Sequence, residues 1–254
     1  MTRGTLQAID SDAAAPTLFS AGHDRLVKVW RCTDSGDHSL VETLVGHTDF
    51  VMAVVVAAHT GGRSGTSGFC CFSGSRDTTV RGWRSDGGPA LVLAGHTGCV
   101  FAIGLAADGG MLVSGSGDHT IRLWALPDGD LLRTLTGHSS YVRTLAVGVG
   151  GLIYSGSHDG TVRVWTLGGR QLRCMTPSAK TFTYIRSMAV SPCGTVWAGT
   201  SGRTAAIGGS VVAWGPDGEL KHKLWGHAGW VTALAVSSAG VVYSGSVDKT
   251  IKVW

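Results

Sequence analysis

A unit of about 40 residues recurs along this chain, and a repeat of that period constrains the fold more than any other feature. Five segments align directly: LFSAGHDRLVKVW (18–30), CFSGSRDTTVRGW (71–83), LVSGSGDHTIRLW (112–124), IYSGSHDGTVRVW (153–165) and VYSGSVDKTIKVW (242–254). Each reads apolar–x–Ser–Gly/Ala–x–x–Asp and then alternates briefly before ending in Trp. A weaker sixth copy is VWAGTSGRTAAIGGSVVAW (196–214). The closing residues Trp30, Trp83, Trp124, Trp165, Trp214 and Trp254 are 53, 41, 41, 49 and 40 apart. A single unit of this size cannot bury its own apolar faces, so neighbouring copies must stack and share one core.

A second element precedes four copies. Gly46-His47, Gly95-His96, Gly137-His138 and Gly226-His227 are each followed, four residues after the His, by Val51, Val100, Val142 or Val231. The chain has 39 glycines and 6 prolines, which suits many tight turns between short strands. In the third copy the pattern predicts strands over 100–106, 111–115 and 120–126, with a fourth over 130–135 leading to the next Gly-His. This Gly-His…Asp…Trp register resembles the WD40 family over essentially the whole chain. One departure is that no closing Trp is followed by Asp.

The resemblance implies an all-β, WD40-type β-propeller forming a single domain over 1–254. Six four-stranded blades are predicted. The chain starts inside an innermost strand, at about residues 5–9, and the last blade lacks its outer strand. Part of a seven-bladed propeller is the alternative. The resemblance also implies four hydrogen-bonded structural sets. These are His47, Ser73, Asp77 and Trp83; His96, Ser114, Asp118 and Trp124; His138, Ser155, Asp159 and Trp165; and His227, Ser244, Asp248 and Trp254. A buried carboxylate needs donors, which imidazole, hydroxyl and indole N–H groups provide. Ser, His and Asp together suggest a hydrolase triad, but four equivalent copies argue for a repeated staple instead. The fifth copy lacks Gly-His and carries Ala198 and Gly202 where Ser and Asp would stand.

Composition narrows the function classes. Hydrophobic residues make up 43% and charged residues 15%, a globular balance. The net charge of +4 is not gathered into a basic run, so nucleic acid is not implied. Six cysteines, without C-x-x-C or zinc spacing, read as scattered buried thiols, and no metal or cofactor is implied. The N-terminus has no apolar leader and no stretch reaches transmembrane length. An intracellular protein, cytoplasmic or nuclear, is expected, with no membrane partner. No acid falls in the inner-strand segments 51–56, 100–105, 142–147, 185–190 or 231–236, which counts against a propeller enzyme.

Recognition is expected on the top face, where the Gly-His loops and Asp turns emerge. Just before each inner strand stand Phe50, Cys99, Tyr141, Tyr184 and Trp230. Two places later come Met52, Phe101, Arg143, Arg186 and Thr232, and just before the turn Asp come His23, Arg76, Gly117, His158 and Val247. Aromatics and arginines anchor protein interfaces. Lys180, Phe182, Tyr184, Arg186 and Arg203, with Tyr141, Arg143 and His158, form a candidate patch for an acidic or phosphorylated peptide. Phe50, Arg76 and Trp230 are further candidates. The expected function is a non-catalytic scaffold that holds partner proteins or peptides. The alternatives are a substrate-recognition component of a ubiquitin ligase and an RNA- or chromatin-associated adaptor.

Overall fold

The computed structural model describes residues 6–12, 17–33, 35–57, 68–88, 90–148, 150–177, 183–202 and 208–254. All regular secondary structure among them is strand. They fall into two compact units, one ending at Leu135 and the other beginning at Thr136.

The first unit holds three antiparallel sheets of four strands, each strand paired with the next in sequence. The first sheet is β1 (Leu6–Asp12), β2 (Thr17–Gly22), β3 (Val27–Cys32) and β4 (His38–Leu44). The second is β5 (Val51–Val56), β6 (Phe69–Ser75), β7 (Val80–Arg84) and β8 (Leu91–Leu93). The third is β9 (Val100–Leu105), β10 (Met111–Ser116), β11 (Ile121–Ala125) and β12 (Leu131–Leu135). The predicted strands of this third copy agree with the structure to within a residue or so at each end. The first strand runs from Leu6 to Asp12, further along the chain than the predicted 5–9, because its ladder with β2 continues to the Asp12–Thr17 pair.

The second unit repeats the plan. Its first sheet is β13 (Val142–Val147), β14 (Leu152–Ser157), β15 (Val162–Thr166) and β16 (Gln171–Met175). Next come β17 (Thr183–Val190), β18 (Val196–Gly202), β19 (Ser210–Trp214) and β20 (Leu220–Trp225). The last sheet has three strands, β21 (Val231–Val236), β22 (Val242–Ser246) and β23 (Ile251–Val253). The sheets are thus the six blades of a propeller, five of four strands and a sixth of three.

Packing within each unit accounts for the repeated residues. Tyr154, Val162 and Val164 of one blade pack with Ile185 and Met188 of the next. Phe72 and Val80 likewise meet Val100 and Leu112. The Gly of two Ser-Gly pairs lies under the next inner strand: a Cβ on Gly156 would come within 2.5 Å of Ile185 Cγ2, and one on Gly74 within 2.7 Å of Val100 Cγ1. Only a bare backbone fits there. In the last blade the positions matching Val162 and Val164 are Ile251 and Val253, which are 76% and 61% exposed, whereas the two valines are fully buried.

Candidate functional site

Each of the four complete sets comes together at one end of its blade, here called the upper end. His47 Nδ1 lies 2.7 Å from Asp77 Oδ2 and its Nε2 lies 2.8 Å from Ser73 Oγ, to which Trp83 Nε1 donates at 2.8 Å. The same three contacts measure 2.7, 2.8 and 2.8 Å for His96 with Asp118, Ser114 and Trp124. They measure 2.8, 2.8 and 2.9 Å for His138 with Asp159, Ser155 and Trp165. For His227 with Asp248, Ser244 and Trp254 they are again 2.8, 2.8 and 2.9 Å. An indole can only donate and a carboxylate can only accept, so a neutral His with its proton on Nδ1 completes the chain, and the Ser hydroxyl donates to Nε2. Burial lowers the pKa of His47, favouring that neutral form. Asp77 is held at about 2: burial pushes its pKa up, but hydrogen bonds from Thr79, Thr48 and His47 together outweigh this. The imidazoles are sealed from solvent and the serines are buried, so no substrate can reach them as a triad.

Two blades solve the same problem differently. In the first, Trp30 Nε1 donates to Ser20 Oγ at 2.7 Å, and Asp24 pairs with Lys28 instead of a His. In the fifth, Ala198 is fully buried where Ser would stand. There Thr200 Oγ1 contacts Ser210 Oγ at 2.9 Å and accepts the Ser210 amide at 3.0 Å. The sequence pattern did not reveal this Thr–Ser link, since both residues lie outside the His–Ser–Asp–Trp spacing.

Every inner strand from β5 to β21 carries a β-bulge near its start. The extra residues are Met52, Phe101, Arg143, Arg186 and Thr232. A bulge breaks the alternation and re-aims the side chain it carries. The column of residues singled out in the sequence is therefore a column of bulges, each following a fully buried Val51, Val100, Val142, Ile185 or Val231.

In the second unit this arrangement gathers aromatic and basic groups. His158 meets Tyr184 at a tilt, with ring centroids 4.8 Å apart, and meets Tyr141 at 5.8 Å. Its backbone amide donates to the Tyr141 carbonyl at 3.0 Å, which ties the Asp turn to the strand entrance. Tyr141 remains 46% exposed. The Arg186 guanidinium lies over the Trp230 ring at 4.3 Å, and its Nε donates to Ser201 Oγ at 2.8 Å. No ion pair joins Arg186 to a carboxylate among the described residues. Among the described residues, His158 Nε2 and Trp230 Nε1 are buried without hydrogen-bond partners. Burial, then Arg186, then Arg143 push the pKa of His158 down to about 4, so its imidazole is neutral at physiological pH.

Phe50 and Arg76 lie in the first unit and make a cluster of their own. His23 stacks on Phe50 at 4.2 Å, and Arg76 lies 5.7 Å from the same ring and 3.6 Å from Asp49. Lys180, Phe182 and Arg203 lie outside the described residues, as does most of the insert at 57–68. The structure also places two acids, Asp10 and Asp12, in the inner strand β1, beyond the predicted residues 5–9. Asp10 stands in β1, where its Oδ2 accepts the Val56 amide at 2.8 Å, a structural use of the carboxylate. The thiols need correction too: Cys71 is buried, but Cys174 and Cys193 are exposed, one on an outer strand and the other in a turn. Among the described residues no group of three or more His, Cys, Asp or Glu could hold a metal ion. No helix among them is long and apolar enough to cross a membrane.

Successive antiparallel sheets joined through Gly-His loops and pinned at one end define a β-propeller. The model of the WD domain, G-beta repeat, matches residues 38–84, 87–125, 129–166 and 218–254, more than half of the chain, which therefore belongs to the WD-repeat family. The chain is similar to nuclear distribution protein PAC1 of Yarrowia lipolytica (strain CLIB 122 / E 150), being 37% identical over 101 residues. That match spans 38% of this chain and only 22% of the relative.

Proposed function

We propose that this protein is a non-catalytic interaction scaffold, a single propeller domain over residues 1–254, and that an acidic segment of a partner protein docks on the upper end of the blades in its second unit. Membership of the WD-repeat family supports the scaffold role, because propellers of this family are typically non-catalytic. The observation that carries the docking site is Arg186. Its guanidinium is half-buried against Trp230 and, among the described residues, no carboxylate neutralises it. Burial costs a charge its hydration, and a cation left without a counter-ion invites an anionic partner. Tyr141, which meets His158, adds exposed aromatic surface, the kind of residue that anchors interfaces.

The test is quantitative affinity capture with the wild-type chain and with the Arg143→Glu/Arg186→Glu double variant. A defined set of partners should disappear from the variant while its melting temperature stays close to wild type. Arg186→Gln, which keeps a polar side chain over Trp230, should weaken the same partners less. Unchanged capture by the double variant would mean that partners dock elsewhere.

A further inference from the structure

We propose that Cys70 and Cys71 form a reversible oxidation site, at which a small uncharged hydroperoxide is reduced and the two thiols close to a disulfide. Consecutive side chains of a strand point to opposite faces of the sheet, so neighbouring cysteines do not ordinarily meet. Here the β6–β7 ladder pairs Phe69 with Arg84 and Cys71 with Trp83, which makes Cys70 the extra residue of a β-bulge. The bulge re-aims its side chain. Cys70 Sγ lies 4.0 Å from Cys71 Sγ and donates to the Trp83 carbonyl at 3.3 Å. The two thiols differ in environment. Cys71 is fully buried in the core shared by the first two blades, whereas Cys70 is only partly buried.

That difference divides the work between them. The Cys71 thiol can donate to the Cys70 sulfur, which lowers the Cys70 pKa against the opposing effect of burial. Burial, then Cys70 itself, then the Glu42 and Asp10 charges push the Cys71 pKa well up. Cys70 therefore ionises first and is the nucleophile, because the thiolate is the reactive form. Its sulfur attacks one peroxide oxygen: an S–O bond forms, the O–O bond breaks, and the departing hydroxide takes a proton and leaves as water. The Cys71 sulfur then attacks the sulfur of the Cys70 sulfenic acid. The S–S bond forms, the S–O bond breaks, and the hydroxyl leaves with the Cys71 proton as a second water. The thiols together give up two electrons, and one peroxide is reduced. The field at the pair selects the oxidant: Glu42 acts on both thiols and Asp10 on Cys71, so an anionic oxidant is repelled and a neutral one is not. The Cα atoms of adjacent residues are about 3.8 Å apart, closer than the roughly 4.4 Å at which ordinary disulfides begin. The bond is therefore strained and yields to a dithiol reductant, which makes the site reversible.

The experiment treats the reduced full chain with a few equivalents of hydrogen peroxide near neutral pH, quenches with acid, alkylates in guanidinium and maps tryptic peptides by mass spectrometry. Cys70 and Cys71 share the peptide 64–76, which holds no other cysteine. That peptide is expected to lose two hydrogens, resist alkylation, and accept two alkyl groups after treatment with dithiothreitol. In Cys71→Ser, Cys70 should instead be trapped as its sulfenic acid by dimedone. In Cys70→Ser, Cys71 should stay reduced at the same dose. Circular dichroism checks that both variants fold, and the wild-type map stands without them. If both thiols are still alkylated at a dose that oxidises the exposed Cys174, the proposal is overturned. A disulfide from either thiol to another cysteine overturns it too, as does Cys70 carried to sulfinic acid while Cys71 stays free. Glutathione disulfide, an anionic oxidant, should oxidise the pair at least tenfold more slowly than the peroxide, and an equal rate overturns the choice of oxidant.

Discussion

At the scale of single residues, the buried imidazoles illustrate how much a repeat depends on polar side chains. His138 is buried between Ser155 and Asp159, and removing it takes one hydrogen bond from each while Trp165 still donates to Ser155 and Ser139 and Thr161 still donate to Asp159. His138→Ala should cost about 2–3 kcal/mol in urea unfolding, because a hydrogen bond lost at a buried group is not made good by hydration. A double-mutant cycle with Asp159→Asn should give a coupling of about 1–3 kcal/mol. The pH dependence follows from the same contacts. His47 and Asp77 both have lowered pKa values in the folded state, so the unfolded chain binds more protons as pH falls. Stability should be fully present above about pH 6.5, begin to fall below it as unfolded histidine protonates, and fall further between about 4 and 2 as Asp77 titrates. A melting temperature that stays flat from pH 7 to 3 would contradict this. The turn after each Asp offers a gain in stability. Thr78 is held at φ 73°, where a β-branched residue is strained, while Gly160 occupies the equivalent turn without that strain. Thr78→Gly should raise stability by up to about 1 kcal/mol despite the entropy that glycine adds to the unfolded chain.

At the scale of elements, strands were legible because their alternation and their Gly and Asp turns recur at a fixed spacing. The predicted strands of the third copy match β9 to β12 closely. The bulges were not legible. Arg143 and Arg186 could be picked out as a column, but nothing in their spacing says that they are the extra residue in the ladder, since a bulge depends on the partner strand. The Thr200–Ser210 link of the fifth blade and the role of Asp10 were missed for a similar reason: each is a contact that belongs to one blade or one blade junction and so leaves no periodic trace. Burial separates equivalent positions sharply. Val162→Asp places a charge in a fully buried site and should cost more than about 4 kcal/mol or prevent folding. Ile251→Asp, at the same position of the repeat but 76% exposed, should change stability by less than about 1 kcal/mol. Chemical denaturation of the two variants checks the contrast.

At the scale of the whole molecule, the chain divides its polar side chains into two groups. The His, Ser, Asp and Trp sets are sealed and mutually satisfied, so their chemistry is spent on holding blades in shape. The groups around Arg186, His158 and Trp230 are partly exposed and unevenly satisfied, with two buried nitrogens lacking partners among the described residues. The family and the identity of the staples could be read in the sequence, because a repeat writes its structural residues several times. The candidate surface could be read only in part. Its residue types stood out, but the pairing of Arg186 with Trp230 brings β17 to the entrance of β21, some 44 positions further on. The claim that links these scales is that stability and recognition rest on separate residues. It is tested most directly by capturing partners with Arg143→Glu/Arg186→Glu and with His138→Ala, each at a temperature where it remains folded. The account predicts that the first loses its partners and keeps its melting temperature, while the second keeps its partners and melts lower. If the staple variant lost the partners and the arginine variant retained them, the account would be contradicted.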